Sequence, residues 1–186
     1  MTKVRSNSKI ALLRGVNVGG VKVRMAPLRE LAAGMGWSNV KTYIASGNLV
    51  FTADGATKEL AGALREAVAK EIGVDTPIMV LTANDMLSVL DDHPWTPEKG
   101  NQSHVYFCWD EPQIDEALYQ ELKSPNEELL VIGGHLHFFA PDGLGQSQLA
   151  DKFAKIIRGT EMTGRNLNTV RKLADMAVSC QPASDA

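Results

Sequence analysis

One order of elements runs twice through this 186-residue chain, and it restricts the fold more than any single motif does. Hydrophobic periodicity reads residues 10–13 as a buried strand and residues 26–34 as an amphipathic helix, with Leu28, Leu31 and Ala32 on one face. Residues 40–45 and 49–52 read as strands joined by a tight Ser46-Gly47-Asn48 turn, a hairpin signal. Residues 57–72 carry Leu60, Leu64 and Val68 in helical register; residues 77–81 form a last strand and 84–90 a short trailing helix. The second pass has strands at 104–109, 129–132, 135–140 and 161–163, and helices at 113–122, 148–157 and 168–177. Gly133-Gly134 matches the residues that two-residue hairpin turns require. Both passes spell βαββαβ plus a helix. The expected class is therefore α+β, a tandem duplication of ferredoxin-like units, with residue identity between the halves negligible. The units are expected at 1–90 and 91–186, with a linker over 91–102 that contains Pro94, Pro97 and Gly100.

Composition narrows the function classes. No run of about 18 apolar residues occurs, so no membrane partner is expected. The polar, basic stretch over residues 1–9 does not read as a signal peptide. Cys108 and Cys180 are too few for a disulfide framework and read as free thiols in a reducing cytoplasm. A net charge of −3 disfavours a general nucleic-acid binder. Residues 1–90 nevertheless carry 11 Lys+Arg against 7 Asp+Glu, a surplus of four positive charges, whereas 91–186 carry 8 against 15. The two halves either dock electrostatically, or Arg14, Lys22, Arg24 and Arg29 form an anion-attracting end.

The candidate site follows the first strand. Arg14-Gly15-Val16-Asn17-Val18-Gly19-Gly20 links an apolar strand to a helix, an arrangement that turns backbone N–H groups toward an anion. Arg14 adds a permanently charged, bidentate donor, and Lys22 adds attraction from the rim. Neither a Walker loop nor a Rossmann fingerprint is present. In βαββαβ with spatial order 4-1-3-2, this loop and the Ser46-Gly47-Asn48 turn share one sheet end, which sets Arg14 beside Asn48. In the second unit the loop 141–147 and the strand end Arg165-Asn166 share an end in the same way. The expected ligand-binding set is Arg14, Gly15, Asn17, Gly19, Gly20, Lys22, Ser46, Gly47, Asn48, Ser147, Arg165 and Asn166. Ser147, and either Asn166 or Asn168, also read as helix N-caps, and the Ser46–Asn48 segment as plain turn chemistry.

These residues carry a resemblance. Leu13-Arg14-Gly15-Val16-Asn17-Val18-Gly19-Gly20, Met25-Ala26-x-Leu28-Arg29 and Val40-x-Thr42-Tyr43-Ile44-x-Ser46-Gly47-Asn48-Leu49-Val50-Phe51 resemble a bacterial family, domain of unknown function family 1697. Pro141-x-Gly143-x-Gly145-x-Ser147-x-Leu149 and Thr163-x-Arg165-Asn166-x-Asn168-Thr169-Val170 are similar to its C-terminal signature. The resemblance implies a soluble bacterial protein of two ferredoxin-like halves with no assigned activity. Ala45, Gln148 and Leu167 depart from the family pattern, and Gln148 replaces a basic residue beside Ser147.

Other constellations point to structure. His135 and His137 share a strand face, but His104 is expected near the far end of that strand, so no metal site is assigned. His93 is expected to anchor the linker beside Pro94 and Trp95, and Cys108 to behave as a small buried hydrophobe. No nucleophile elbow or Ser–His–Asp arrangement occurs, so catalytic residues, reaction and cofactor stay unassigned. An RNA-reading sheet exposes aromatics on its central strands. Residues 10–13 and 49–51 are instead apolar on both faces, which calls for cover from the helices and from the other half or a second subunit. The functional expectation is a small anionic ligand at the Arg14–Gly20 loop; the alternative is a protein or nucleic-acid interaction module, and the oligomeric state is open.

Overall fold

The structure, a computed structural model, describes residues 7–180; the polar start of the chain at 1–6 and the tail at 181–186 lie outside the described residues. The class is α+β, with antiparallel sheets and, among the described residues, seven α-helices. Two compact units emerge, one running to Ser88 and resuming at Lys172, the other spanning Val89–Arg171.

The first unit contains β1 (Ser8–Leu13), α1 (Met25–Gly34), β2 (Ser38–Thr42), β3 (Asn48–Thr52), α2 (Thr57–Glu71), β4 (Ile78–Thr82) and most of α3 (Ala83–Asp91). Its sheet has the order β2-β3-β1-β4, with every neighbouring pair antiparallel. Ala11, Leu13, Leu49 and Phe51 form one core with Leu28 and Ala32 of α1 and Leu60, Leu64 and Val68 of α2. The helical spacing read from the sequence is the face that packs here. Burying each such Leu or Phe contributes about 1.5–3 kcal/mol. Trp37 stacks on Phe51 with ring centroids 4.0 Å apart. Ile10, Leu12 and Val50 on the opposite sheet face are equally buried, so the central strands are apolar on both sides.

The hairpin differs from expectation. Strand β2 covers Ser38–Thr42 instead of 40–45, because Ile44 takes a left-handed backbone (φ 45) and leaves the ladder. A bulge between Ser38 and Lys41, with Asn39 at φ 52, starts the strand early. The connection to β3 is accordingly a wide turn over residues 43–47.

The second unit contains β5 (Ser103–Cys108), β6 (Gln113–Ile114), α4 (Glu116–Leu122), β7 (Glu128–Ile132), β8 (His135–Phe139), α5 (Gln148–Asp151), α6 (Phe153–Ile156), β9 (Ile157–Arg158) and β10 (Met162–Asn166), followed by the start of α7 (Leu167–Ser179). Its main sheet has the order β10-β5-β8-β7. Gly133 and Gly134 both have positive φ (59 and 78), the geometry of a type I′ turn. The expected helix at 113–122 starts later. Gln113 and Ile114 pair with Arg158 and Ile157, and Asp115 then caps α4 by accepting from Leu118 N at 3.1 Å. The expected helix 148–157 breaks at Lys152 (φ −113) into α5 and α6, and the same pairing takes its last residue, Ile157, into β9. The final strand runs through Asn166 instead of ending at 163. Phe153 meets Tyr106 and Phe138 edge-on, at 4.9 and 5.1 Å, in the unit's core. Among the described residues no helix is long and apolar enough to cross a membrane.

Candidate functional site

At the end of β1 three distant segments are stitched together. Leu13 N–H donates to Gly47 O at 2.9 Å, Arg14 N–H to Pro77 O at 3.0 Å, and the Thr76 hydroxyl to the Arg14 carbonyl. Strand register sets Leu12, and not the expected Arg14, opposite Asn48, with the glycine loop and the turn before β3 at one sheet end.

The loop then doubles back through left-handed residues: Gly15 (φ 63), Asn17 (φ 59), Gly19 (φ 61) and Gly20 (φ 102). Asn17 closes it. Its backbone N–H donates to Val21 O at 2.6 Å, its amide donates to Val23 O at 2.9 Å, and its Oδ1 accepts from Val23 N at 3.0 Å. The same amide also donates to Ala45 O, which ties the loop to the turn. Asn48 is fully buried and donates to Tyr43 O at 3.1 Å and Ser46 Oγ at 2.8 Å. Both asparagine amides, expected among the ligand-binding residues, are therefore engaged in holding the two segments in shape. Gly47 is required by space as well as by φ (76), because a Cβ there would lie 2.5 Å from Val16 Cγ2.

Between loop and turn lies an open groove of about 450 Å³, lined by Asn17, Gly20, Val21, Lys22, Val23, Arg24, Met25 and Ala45. It leads to the N-terminus of α1. Arg24 at the N-cap makes no side-chain capping bond, and the first turn carries no acidic residue. Unsatisfied N–H groups and the helix dipole make such an end electropositive. Of the expected residues, Asn17, Gly20 and Lys22 line the groove, while Arg14, Gly15 and Gly19 stand exposed on the same loop. Arg29 points to the sheet and donates to Thr42 Oγ1 at 2.6 Å. The lining residues Val21, Val23, Arg24, Met25 and Ala45 lie outside the expected set. The alternation of apolar and basic residues in Val21-Lys22-Val23-Arg24, just before a helix start, is the signal that marks most of them.

The second expected end also assembles. Asn166 pairs with His104, Ser103 with Phe139, and Gln102 bonds both Ala140 N and Pro141 O. Its polar residues are occupied structurally. Ser147 Oγ accepts from Ala150 N at 3.0 Å and Asn166 Oδ1 from Thr169 N at 2.9 Å, so both are helix caps. Arg165 is buried and donates to Thr163 Oγ1 and Gly164 O, each at 2.8 Å, and burial draws its pKa down to about 10.

The histidines are structural in their contacts. His93 Nδ1 faces His137 Nδ1 at 2.8 Å and His93 Nε2 faces Ser103 Oγ at 2.8 Å, which anchors the segment after α3 as expected. Two facing ring nitrogens need one proton and one lone pair, so the two rings cannot both be charged. Burial, then His93 and His135, pulls the pKa of His137 down to about 4, and burial does the same for His104. His104 lies opposite Phe138 and His137 opposite Val105, so the two project to opposite sheet faces. No group of three or more His, Cys, Asp or Glu is disposed to hold a metal ion among the described residues. Burial pushes the Cys108 thiol up to about 11, far from nucleophilic use.

Residues 7–137 match the family described as Protein of unknown function (DUF1697), and the chain belongs to that family. The fold is similar to a solved structure, the conserved bacterial protein SP0830 from Streptococcus pneumoniae, at 25% identity and a TM-score of 0.72, over 91% of this chain and 98% of that one. No curated protein matches the chain.

Proposed function

We propose that this member of DUF1697 binds a small anionic ligand, bearing a phosphate or carboxylate, at the sheet end where the glycine loop meets the turn before β3. The observation that carries this reading is the groove of about 450 Å³, with Lys22 and Arg24 in its wall and the uncapped start of α1 at its end. Such a volume is that of a small-molecule site. In this reading Lys22 and Arg24 neutralise the anion, and backbone N–H groups near Gly20 and Met25 bond it. Arg14 supplies attraction from the loop, and Asn17 and Asn48 keep the walls rigid.

In the same reading the chain is two ferredoxin-like repeats in tandem, 1–90 and 91–186, although the chain from Lys172 groups with the first compact unit. Support comes from the strand orders β2-β3-β1-β4 and β10-β5-β8-β7, each with its first and third strands at the centre. A second reading, an interaction module for a protein or a nucleic-acid backbone, draws on the exposure of Val18, Val21 and Ile44 at this end.

A thermal-shift series on wild type and Arg14→Ala, against nucleotides, sugar phosphates, carboxylates and short oligonucleotides, separates the readings. A ligand at 100 times its Kd adds about 2.7 kcal/mol by mass action. Stabilisation of wild type by small anions, reduced in Arg14→Ala, supports the site. Stabilisation by oligonucleotides alone, falling steeply with salt, supports the interaction module. An Arg14→Ala variant that melts lower by itself, with no ligand shifting wild type, makes the loop a piece of scaffold.

A further inference from the structure

The groove's lining says more than its charge. Resting on the anion-site reading, we infer that the ligand carries its anionic head on an apolar body, an aromatic or branched-alkyl group, and not on a polyol.

Apart from Lys22, Arg24, Asn17 and Gly20, the wall is made by Val21, Met25, Ala45 and the edge of the nearly buried Val23. The loop and turn that flank the groove carry the same chemistry. Val18, Val21 and Ile44 are 63%, 42% and 52% exposed. Single exposed apolar side chains are ordinary on a protein surface, but these share one loop and the turn hydrogen-bonded to it.

Polar recognition is scarce where a polyol would need it. The Asn17 amide is engaged by Val23 and Ala45, and Asn48 is buried and bonded to Tyr43 and Ser46. Sugar hydroxyls laid against valine and methionine would lose water without gaining partners, which costs affinity. The head is fixed as an anion by sequence as well as by geometry. Residues 9–29 contain Lys9, Arg14, Lys22, Arg24 and Arg29 and no carboxylate, and residues 43–48 contain none either. Asp75, close in sequence to Thr76 at this sheet end, is held by Arg65 through bonds of 2.6 and 3.2 Å.

Isothermal titration of the full chain with inorganic phosphate, glycerol phosphate, phenyl phosphate, benzoate and benzyl alcohol tests the inference. Phenyl phosphate or benzoate is expected to bind about tenfold or more tighter than glycerol phosphate, from burial of the ring alone. The double variant Val21→Thr/Ile44→Asn, in which Asn tolerates the left-handed turn position, is expected to lose most of that preference. Glycerol phosphate binding as tightly as phenyl phosphate overturns the apolar body while leaving the anion site standing. Benzyl alcohol binding as tightly as benzoate overturns the anionic head. If none of the five binds, the anion site itself fails, and this inference with it.

Discussion

Asn17 and Ala45 lie 28 residues apart in sequence, and the side-chain amide of one donates to the backbone carbonyl of the other. With its bonds to both backbone groups of Val23, this makes Asn17 the clasp of the glycine loop. Each such bond has a net worth of about 1 kcal/mol. Asn17→Ala is expected to destabilise by about 2–4 kcal/mol, since it also forces a Cβ residue without Asn's local bonding into φ 59. Asn17→Gly removes the bonds and not the backbone permission, so it is expected to lose less. Urea denaturation of the two variants checks the order; equal stability to wild type would remove the clasp.

The glycines of this site differ in kind. At Gly47 a Cβ would meet Val16 Cγ2 at 2.5 Å and Leu13 Cβ at 2.8 Å, in addition to the strain of φ 76. At Gly15, Gly19 and Gly20 a Cβ meets nothing within 4 Å. Gly47→Ala is therefore expected to cost about 2–4 kcal/mol, and Gly20→Ala about 1 kcal/mol from φ alone. Thermal denaturation of the two proteins side by side is the check, with Gly47→Ala melting several degrees lower.

The buried imidazoles give stability a pH dependence of definite sign. His104 and His137 are held neutral, their pKa values drawn from 6.5 to about 4 mainly by burial. Between those values the unfolded chain binds protons that the folded chain refuses, so stability rises with pH across that window. It is fully present above about 6.5 and falls as pH drops toward 4, each imidazole adding up to about 1.4 kcal/mol per pH unit. Denaturation midpoints at pH 7.5, 5.5 and 4.5 should decline in that order, and the His137 ring should titrate below pH 5 by NMR. A His137 midpoint near 6.5 would contradict this account of the His93–His137 contact.

Much of the fold was legible because period-2 and period-3.6 runs locate Ile10–Leu13, Leu28–Ala32 and Leu60–Val68 without tertiary knowledge. The convergence of loop and turn was legible too from strand order, but the register was not: Asn48 lies opposite Leu12, two residues before the expected Arg14. Boundaries set by tertiary pairing were not. Nothing local in residues 148–157 announces the break at Lys152 or the pairing of Ile157 with Ile114 that ends the helix. Ile44 is a β-branched residue and a poor candidate for φ 45, so the true end of β2 was hidden. At the site, residue type identified polar loop positions but not the direction of their amides. Asn17 and Asn48 turn inward to backbone, and the groove wall passes to Val21, Val23 and Met25, which read as ordinary apolar residues.

The central claim is that the groove beside α1 takes an anion, and an amide-resolved NMR titration with inorganic phosphate addresses it most directly. The account predicts saturable shifts of the N–H signals of Gly20, Val21, Met25 and Ala26, all lost in Lys22→Ala/Arg24→Ala, with the 143–147 loop unmoved. Absence of shifts in the first set, or shifts centred on residues 143–147, would contradict it.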